Sequence, residues 1–578
     1  MSVDLTNAHN YICPDCGKET QEDIPIEVYW CDECKIPIIR ELESKHKGNC
    51  PLCNTELKYL SKDLRPVFPE ERLLLEVIKG KPLEYLNKSV WNSINRYFIN
   101  SNSTIELLST KEMETLNIDK IKKDIDELQD ENYYENFNKT ITKFIEANKF
   151  RYYQLKQEAT DFIKDVKDRY NFKDKQILVS FSGGKDSTVV SDLVTKGLSN
   201  SRITHIFGDT TLEFPTTYEY VERFKKDSKA LVRTAINRQN DFYDMCDKIG
   251  PPSRLMRWCC HAFKTGPISR TINTKFNRYD RILTFYGIRK NESISRSKYD
   301  RIYDSPKITK QKVAAPIFNW KDIDLWLYMF AENLDFNSAY KLGFDRAGCW
   351  CCPNNSDRSE FLSKIYMPEK SKKWRDFLIE FAKDIGKKDA EVYVDTGKWK
   401  ARQGGDGLDV SETVKLNTKA CTTEENAKIY KLERSIDDEF YNLFVPFGKI
   451  DKELGKSLIG EVLIRDMKTK VPIISLQPYN TGENKESVKI KTLNVENNDD
   501  LHRMISYQIR KFNACQKCLA CESVCKYGAI SIKGDIYKID EEKCKRCKMC
   551  VTAKYLDGGC LMSKYLRTRT SKEEENEI

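Results

Sequence analysis

The stretch ILVSFSGGKDSTVV, residues 177–190, decides the fold of the central part of the chain. Its apolar start is typical of a buried β-strand, and the residues after the glycines suit a helix. A glycine turn between a strand and a helix presents backbone N–H groups and a helix N-terminus to an anion. The spacing differs from the Walker A pattern, so kinase or GTPase chemistry is a poor match. The stretch therefore predicts a phosphate-binding loop at residues 182–187.

The sequence around this loop predicts an α/β domain. The short β-rich runs QILVSF, ITHIFGD and RILTFYGI alternate with helical segments between residue 176 and about residue 380. This alternation is typical of a parallel sheet with crossover helices. At 578 residues the chain is too long for one core. We predict a small β-rich zinc ribbon at 1–60, a mixed α/β accessory region and linker at 61–150, the central domain at 151–400, an α+β accessory region at 401–505, an α+β iron–sulfur domain at 506–565 and a charged tail at 566–578.

Composition and charge narrow the class of protein. The chain is 40% hydrophobic and 32% charged, and it has no apolar run near the roughly 20 residues of a membrane span. The start, MSVDLTNAHN, lacks the hydrophobic stretch of a secretory signal, so we expect a cytoplasmic protein with no membrane partner. The net charge of +9 permits nucleic-acid binding without demanding it. In a reducing compartment, 21 cysteines are expected to be metal ligands rather than disulfides.

Three Cys-x-x-Cys pairs near the N-terminus predict a zinc site. The pairs are Cys13 with Cys16, Cys31 with Cys34, and Cys50 with Cys53. One tetrahedral zinc takes two pairs, and both adjacent combinations have suitable spacing. We favour Cys31, Cys34, Cys50 and Cys53, because each of these pairs is followed by turn-compatible and then β-prone residues. Cys13 and Cys16 are candidates for a second metal.

The C-terminal cysteines have the spacing of a bacterial two-cluster ferredoxin. CQKCLACESVCKYG at 515–528 and CKRCKMCVTAKYLDGGC at 544–560 each place three cysteines two residues apart and a fourth further on. In such ferredoxins the fourth cysteine ligates the other [4Fe–4S] cluster. The two predicted ligand sets are therefore Cys515, Cys518, Cys521 and Cys560, and Cys544, Cys547, Cys550 and Cys525. Lys526 stands where proline is usual, and the last spacing is long, so the closing ligand of the second set departs from the pattern.

The phosphate loop resembles the S-G-G-x-D-S loop of the PP-loop pyrophosphatases, which cleave ATP between its α and β phosphates and transfer AMP to a substrate oxygen. FGDTTLEFPTTYEYV at 207–221, YGIRKNESISR at 286–296 and PIFNWKDIDLWLY at 316–328 resemble segments of phosphoadenosine phosphosulfate (PAPS) reductases. This resemblance covers about residues 165–360 and implies that the domain binds an adenine nucleotide: ATP with Mg²⁺, or PAPS or adenylyl sulfate as substrate. It implies nucleotide contacts at Ser180, Ser182, Gly183, Gly184, Lys185, Asp186, Ser187, Asp209 and Lys264, and catalytic roles for Lys185, Asp186, Arg289 and Arg296. The resemblance also implies that Arg289 and Arg296 face phosphate or sulfate, and a guanidinium fork suits such bidentate oxyanion binding.

Four cysteines inside this domain resemble the cluster ligands of adenylyl-sulfate reductases. Cys259 and Cys260 are adjacent in RWCCHAFKTGP, and GCWCCP supplies Cys349 and Cys352. The resemblance implies a third [4Fe–4S] cluster, and a zinc site made from the same four cysteines is the alternative. Lys264 and Pro267 match the run that flanks the double cysteine in that family. Cys351 lies between two of the proposed ligands and is a candidate for either a buried thiol or a persulfide carrier.

Two departures from the sulfonucleotide reductases leave three functions open. Those enzymes generally lack a lysine like Lys185, and this sequence has no E-C-G-x-H run to supply their nucleophile. We therefore expect ATP-dependent, adenylating sulfur transfer, as in relatives that thiolate tRNA or DNA, with a nucleic acid as the acceptor. Such a reaction implies a sulfur donor such as a cysteine desulfurase, an external electron donor, and electrons passed through the ferredoxin clusters. The alternatives are a ferredoxin-fused PAPS or adenylyl-sulfate reductase that releases sulfite, and a non-catalytic module that senses nucleotide or redox state.

Overall fold

The computed structural model describes residues 10–12, 19–21, 26–41, 48–93, 96–101, 103–106, 112–113, 115–128, 133–294, 296–403, 408–479, 487–552, 556 and 558–566. Cys13 and Cys16, the candidates for a second metal, lie outside the described residues. Within the described residues, every helix is too short or too polar to span a membrane.

In the described residues of the N-terminal part there are three small antiparallel sheets and four helices. The strands are β1 (Asn10–Ile12), β2 (Glu19–Gln21), β3 (Ile26–Cys31), β4 (Ile36–Glu41), β5 (Lys58–Ser61), β6 (Arg65–Pro66), β7 (Val90–Ser93), β8 (Arg96–Ile99) and β9 (Ser103–Glu106). They pair as β1–β2, β4–β3–β5 and β6–β7–β8–β9. The helices are α1 (Pro69–Ile78), α2 (Ile118–Glu127), α3 (Tyr133–Ala147) and α4 (Lys149–Arg169). Pro69 at the first turn of α1 is the favoured place for proline in a helix, because the missing N–H has no partner there.

The central part is a six-stranded, mostly parallel sheet with helices around it. Its strands are β10 (Ile177–Phe181), β11 (Thr204–Asp209), β12 (Leu231–Ile236), β13 (Ile282–Tyr286), β14 (Ile302–Asp304) and β15 (Gln311–Ala314). The order is β12–β11–β10–β13–β15–β14, and only the edge strand β14 is antiparallel to its neighbour. The helices are α5 (Lys185–Gly197), α6 (Pro215–Asp227), α7 (Phe242–Ile249), α8 (Gly266–Lys275) and α9 (Asp322–Ala331), with a π-helix at Cys260–Thr265 before α8. The predicted α/β class and mostly parallel central sheet are confirmed.

The described C-terminal part has helices of 4 to 17 residues, a second six-stranded sheet and a hairpin. The helices are α10 (Asp357–Tyr366), α11 (Pro368–Asp384), α12 (Ala390–Asp395), α13 (Asp409–Glu412), α14 (Asp438–Asn442), α15 (Asn498–Ala514), α16 (Met549–Thr552) and α17 (Leu561–Tyr565). The second sheet is antiparallel, in the order β16–β17–β21–β20–β19–β18, with strands β16 (Thr418–Ala420), β17 (Ala427–Lys431), β18 (Lys449–Asp451), β19 (Val462–Arg465), β20 (Pro472–Pro478) and β21 (Ser487–Thr492). The hairpin β22 (Ile530–Lys533) and β23 (Ile536–Ile539) lies between the two cysteine runs.

One apolar core joins the N-terminal sheets to the central sheet. It contains Trp30 from β3, Phe144 from α3 and Val179 from β10, all at most 1% exposed. Phe68, just before α1, packs against Trp326 of α9 with ring centroids 5.2 Å apart. Asn148 is buried between α3 and α4 and bonds to β4 through the Ile39 N–H and the Pro37 carbonyl. The N-terminal part is therefore packed against the phosphate-loop domain as part of one core.

Buried polar contacts attach the hairpin region to the central domain. The Glu522 carboxylate accepts two hydrogen bonds from Arg270 of α8, at 2.9 and 2.7 Å, and one from the Ile532 N–H at 2.7 Å. Gly266, the first residue of α8, has no space for a side chain, since a Cβ would lie 2.9 Å from the Leu519 carbonyl oxygen. The first C-terminal cysteine run is thus in backbone contact with the segment that follows Cys259 and Cys260.

Candidate functional site

The predicted phosphate loop joins β10 to α5 at the carboxyl edge of the central sheet. Gly183 has φ +70°, a left-handed conformation that favours glycine, and a Cβ there would lie 3.0 Å from Thr217 Cγ2. The Ser187 hydroxyl holds the turn closed by accepting from the Ser182 N–H at 3.1 Å and donating to the Gly184 carbonyl at 2.8 Å. The turn leads directly into the first residues of α5, so N–H groups of a helix N-terminus lie beside it.

Gly287 lets the chain after β13 touch this loop. A Cβ on Gly287 would lie 2.7 Å from the Asp186 carbonyl carbon, so only glycine permits the approach. Ser180 lies half-buried in β10, and it is in register with the residue of β13 that precedes Gly287. The loop is therefore bounded by the carboxyl ends of β10 and β13.

Lys185, Asp186, Arg289 and Asp322 form a buried charge network under the loop. Lys185 is 5% exposed, and its Nζ donates to the Asp345 carbonyl at 3.0 Å and lies 3.4 Å from the Asp322 carboxylate. Arg289 is paired with Asp186 and, at 2.8 Å, with Asp322. Burial would raise the pKa of Asp322, but the nearby Lys185 and Arg289 lower it below the usual range. The network therefore holds its groups ionised as two cations facing two carboxylates.

This network differs from the arrangement that we expected for Arg289. The sequence predicted that its guanidinium faces phosphate or sulfate, whereas the structure gives it two carboxylate partners and 6% exposure. Arg296 is the more open of the two arginines and pairs with Glu292. Burial and the neighbouring guanidinium of Arg346 lower its pKa. Arg296 and Arg346 thus place two guanidinium groups near each other, with Glu292 paired to Arg296, and guanidinium groups are suited to binding an anion.

Asp209 ends β11 and begins a loop that reaches the cysteines of the central domain. Its carboxylate accepts from the Thr211 N–H at 2.8 Å and from the Tyr218 hydroxyl at 2.9 Å. The next residue, Thr210, has its hydroxyl 3.4 Å from the Cys349 Sγ. Glu213 pairs with Cys349 in an isolated antiparallel bridge. One short loop therefore touches both the predicted nucleotide site and the predicted cluster site.

The four predicted cluster cysteines of the central domain come together from two segments. Cys259 and Cys260 lie at the start of the π-helix, and Cys349 and Cys352 lie in the loop after residue 343. The hydrogen bond with Cys260, burial and the charges of Cys260 and Cys349 raise the pKa of Cys259. Burial raises the pKa of Cys352, and the charge of Cys260 raises it further. Cys260 lies 3.6 Å from Arg257 Nη2, and Lys264 is exposed on the same side.

Cys351, between two of these ligands, points into the core instead. It is 5% exposed, and burial raises its pKa, with the charges of Cys349 and Cys246 raising it further. A thiol in this state is weakly reactive. The surroundings of Cys351 therefore favour a buried thiol over a persulfide carrier.

Cys31, Cys34, Cys50 and Cys53 form a compact group of four sulfur atoms. All four Sγ atoms lie within 4.8 Å of one another, with 3.3 Å between Cys31 and Cys53 and 3.9 Å between Cys34 and Cys50. A tetrahedral zinc with bonds of 2.3 Å separates its sulfur ligands by about 3.8 Å. The donor set and its spacing therefore fit zinc.

Burial and neighbouring cysteines raise the pKa of several C-terminal cysteines. Burial raises the pKa of Cys518 to about 12, and the charges of Cys560 and Cys515 contribute in the same direction. Burial also raises the pKa of Cys550 to about 12, and the charges of Cys525, Cys544 and Cys547 contribute in the same direction. Among the described residues, no three of these eight Sγ atoms lie within 4.8 Å of one another, and the same holds for Cys259, Cys260, Cys349 and Cys352.

Sequence reasoning missed three residues that shape the nucleotide site: Asp63, Asp322 and Tyr340. Asp322 stands in the quoted segment PIFNWKDIDLWLY, and its place at the start of a helix was the available signal. The sequence around Tyr340 gives no comparable signal. In the structure, its hydroxyl accepts a hydrogen bond from the Lys185 N–H at 3.0 Å. Asp63 lies in the N-terminal part, and its carboxylate accepts hydrogen bonds from the Asp322 and Ile323 N–H groups.

Comparison with known sequences finds similarities that include the central domain. Residues 176–355 match the family model of the phosphoadenosine phosphosulfate reductase domain. Two uncharacterized proteins of Methanocaldococcus jannaschii, MJ0066 and MJ0973, are each 31% identical, over 50% and 42% of this chain. The match covers 59% and 57% of those two relatives. The adenosine 5'-phosphosulfate reductase of Bacillus pumilus is 28% identical over 32% of this chain and 76% of its own length.

Two solved structures show a weak likeness to this chain. A PAPS reductase from Candida auris has a TM-score of 0.26 at 17% identity, covering 33% of this chain and 88% of its own. A U34-tRNA thiolase from Methanococcus maripaludis has a TM-score of 0.23 at 13% identity, covering 44% of this chain and 85% of its own. Residues 176–355, which match the family model of the phosphoadenosine phosphosulfate reductase domain, contain β10, the predicted phosphate loop and α5 in direct succession.

Proposed function

We propose that the protein is an iron–sulfur enzyme that uses ATP to adenylate a nucleic acid and then replaces the AMP with sulfur. The observation that carries this proposal is the loop from Asp209 to Glu213. It joins the predicted nucleotide site at the end of β11 to Cys349, through the 3.4 Å contact between Thr210 and Cys349. A group activated by AMP at the first site would therefore be held beside the cysteines that handle sulfur.

The first step transfers AMP to the acceptor. An acceptor oxygen attacks the α phosphate of ATP, the bond between the α and β phosphates breaks, and pyrophosphate leaves. Negative charge develops on the leaving pyrophosphate, and preorganised cations stabilise such charge. Lys185, buried at the first turn of α5, is positioned for this role, and the Arg296 and Arg346 guanidiniums supply further positive charge. Mg²⁺ would bind the phosphates, as is usual for nucleotide substrates.

The second step moves sulfur. The terminal sulfur of a persulfide supplied by a donor such as a cysteine desulfurase attacks the activated carbon, a C–S bond forms, the C–O bond breaks, and AMP leaves. The remaining S–S bond then requires two electrons and two protons for cleavage to the thiolated product and a thiol. Iron–sulfur clusters, when bound, carry electrons one at a time, and an external donor would supply them. Cys518 and Cys560 of the first C-terminal set lie in the same apolar cluster as Cys259 and Cys349, which suits electron delivery there.

The C-x2-C-x2-C runs of the sequence support clusters in the C-terminal sites, and the resemblance of Cys259, Cys260, Cys349 and Cys352 to the cluster ligands of adenylyl-sulfate reductases supports one in the central site. In the described part of the chain, only the N-terminal four sulfur atoms are close enough for one tetrahedral ion. A [4Fe–4S] cluster needs four thiolates, each bound to a different iron, and so needs a wider set. We therefore assign zinc to Cys31, Cys34, Cys50 and Cys53, one cluster to Cys259, Cys260, Cys349 and Cys352, and two clusters to the C-terminal sets.

Basic residues around the central cysteines support a nucleic-acid acceptor. Arg257, Lys264 and Lys307 have exposed side chains. Partial desolvation of the Lys307 ammonium lowers its pKa, and repulsion by the charges of Arg257 and Lys264 lowers it further. Cationic side chains of this kind bind phosphate backbones without reading sequence. An RNA or DNA strand bound there would have a base or sugar near Cys260.

A second candidate is a sulfonucleotide reductase that releases sulfite. The family match and the likeness to adenosine 5'-phosphosulfate reductases favour it. The buried lysine in the loop favours the first candidate, because a sulfonucleotide is already activated and needs no charge neutralised on pyrophosphate.

A single anaerobic assay separates these functions. The purified full chain is incubated with ATP and Mg²⁺ plus bulk tRNA, with the same mixture after nuclease treatment, and separately with adenylyl sulfate or PAPS plus a reductant. Pyrophosphate and AMP release that requires intact RNA supports the proposal, whereas sulfite release supports the reductase. If neither product forms, the protein does not turn over these substrates and the non-catalytic alternative stands.

A further inference from the structure

The N-terminal part contacts the first turn of α9 through two side-chain interactions. The Asp63 carboxylate accepts from the Asp322 N–H at 3.0 Å and from the Ile323 N–H at 3.1 Å. The Lys321 Nζ donates to the carbonyls of Ile26 at 2.9 Å and Lys62 at 2.8 Å. Helix N-terminal N–H groups lack partners in their own helix, so Asp63 caps α9 from a different part of the chain.

This cap lies next to a residue of the nucleotide site. Asp63 accepts a hydrogen bond from the N–H of Asp322. The Asp322 carboxylate lies 3.4 Å from Lys185 Nζ and 2.8 Å from Arg289 Nη2. Arg289 in turn holds Asp186 of the phosphate loop. A shift of the first turn of α9 would move Asp322 and loosen both cations.

The second polar partner of Lys185 is held from the N-terminal part as well. Lys185 Nζ donates to the carbonyl of Asp345, and the Asp345 carboxylate pairs with Arg65 at 3.0 Å. Arg65 is itself fixed by two hydrogen bonds to Glu71, at 2.6 and 2.8 Å. Both polar groups that contact the Lys185 ammonium are therefore held in place by residues between β5 and α1.

The same short segment follows the four-cysteine group. Cys53 precedes β5, which pairs with β3, the strand that ends at Cys31. Asp63 comes two residues after β5, and Lys321 bonds to β3 at Ile26. The segment thus connects the cysteine group to the nucleotide site over a few residues.

We propose that Asp63 and Arg65 are positioning residues of the nucleotide site, through which the N-terminal module sets the affinity of the phosphate loop for an adenine nucleotide. This inference rests on the proposed function only in that the loop binds such a nucleotide. It assigns the module a role in organising Lys185, beyond covering the core.

The test uses full-length variants Asp63→Ala and Arg65→Ala, with Asn117→Ala as the matched control. Asn117 is also a helix cap in the N-terminal part, accepting from the Lys120 N–H at 3.0 Å, but it caps α2, and its hydrogen bond is exposed. Calorimetry measures Kd for ATP with Mg²⁺, and hydrogen exchange measures protection of residues 182–187 in the nucleotide-free protein. We expect at least tenfold weaker binding and faster exchange at 182–187 in the two variants, and wild-type values in the control.

Two outcomes would overturn the inference: binding within twofold of wild type in both folded variants, or loss of protection spread evenly over the chain. If Asp63→Ala does not fold, Asp63→Asn and Arg65→Lys replace the pair, with the same expected direction. If the wild-type protein binds no ATP, the proposed function fails, while hydrogen exchange at 182–187 still decides whether Asp63 and Arg65 position the loop.

Discussion

Replacing Lys185 with alanine tests the central step of the proposed function. The ammonium is 5% exposed and lies at the first turn of α5, where charge would develop on a leaving pyrophosphate. Loss of one preorganised group that stabilises transition-state charge costs about 10²–10³ in rate, or roughly 2.7–4 kcal/mol. We therefore expect Lys185→Ala to lower pyrophosphate release by that factor.

The structure also predicts what this substitution leaves intact. Asp322 keeps Arg289 as a partner at 2.8 Å, so no buried carboxylate is left without a cation. The side-chain partners of Lys185 are Asp322, the Asp345 carbonyl and the Tyr340 ring, and none is a cysteine. Iron and zinc contents should therefore equal those of the wild type.

Lys196→Ala is the matched control, since it removes a lysine from the same helix. Lys196 is 42% exposed and pairs with Asp192 and Glu332, and such surface pairs contribute about 0–1 kcal/mol. The assay is pyrophosphate release under anaerobic conditions with ATP, Mg²⁺ and bulk tRNA. If Lys185→Ala releases pyrophosphate within threefold of the Lys196→Ala rate, the role assigned to Lys185 is wrong.

Three further predictions concern the metal group, the C-terminal contact and pH. Cys50→Ser should remove about one zinc per chain by elemental analysis while Cys421→Ser retains it, and equal zinc in both would contradict the assignment of the four-cysteine group. Glu522→Ala and Arg270→Ala should show a coupling of about 1–3 kcal/mol in a double-mutant cycle, read from hydrogen exchange at the Ile532 amide, and additive effects would mean that the pair contributes nothing. Burial lowers the pKa of His205 to about 4. As pH falls, the unfolded chain therefore binds a proton at His205 before the folded protein does. The stability that neutral His205 contributes is present above about pH 6.5 and is lost towards pH 4. The loss is about 3 kcal/mol, and His205→Gln should remove that part of the pH dependence in urea unfolding; an unchanged slope would contradict it.

The sequence predicted the parts of the site that are built from neighbouring residues. A buried strand, a glycine turn and a helix follow one another in ILVSFSGGKDSTVV, so local pattern sufficed for the loop between β10 and α5. The mostly parallel central sheet followed from the alternation of strands and helices. Cysteine spacing indicated the N-terminal group of four, because tetrahedral coordination restricts the spacing of its ligands.

The parts that sequence reasoning missed join residues far apart in the chain. Asp63 and Asp322 are 259 residues apart, and Arg270 and Glu522 are 252 apart, so no periodicity relates them. The partner of a buried arginine depends on tertiary packing in the same way. Arg289 stands in a segment that resembles an oxyanion-binding motif, yet its partners Asp186 and Asp322 come from two different helices.

The shared core of the N-terminal part and the central sheet limits how the protein can be divided. A fragment that begins at residue 151 would lose Phe68, Trp91 and Phe144, and with them the cover over Trp326 and the outer face of α9. Large apolar surfaces exposed in this way promote aggregation. We therefore expect residues 151–400 to be insoluble when expressed alone, although their sequence pattern predicts a separate domain. A shortened form of the protein that is meant to keep the proposed activity should therefore start before β3.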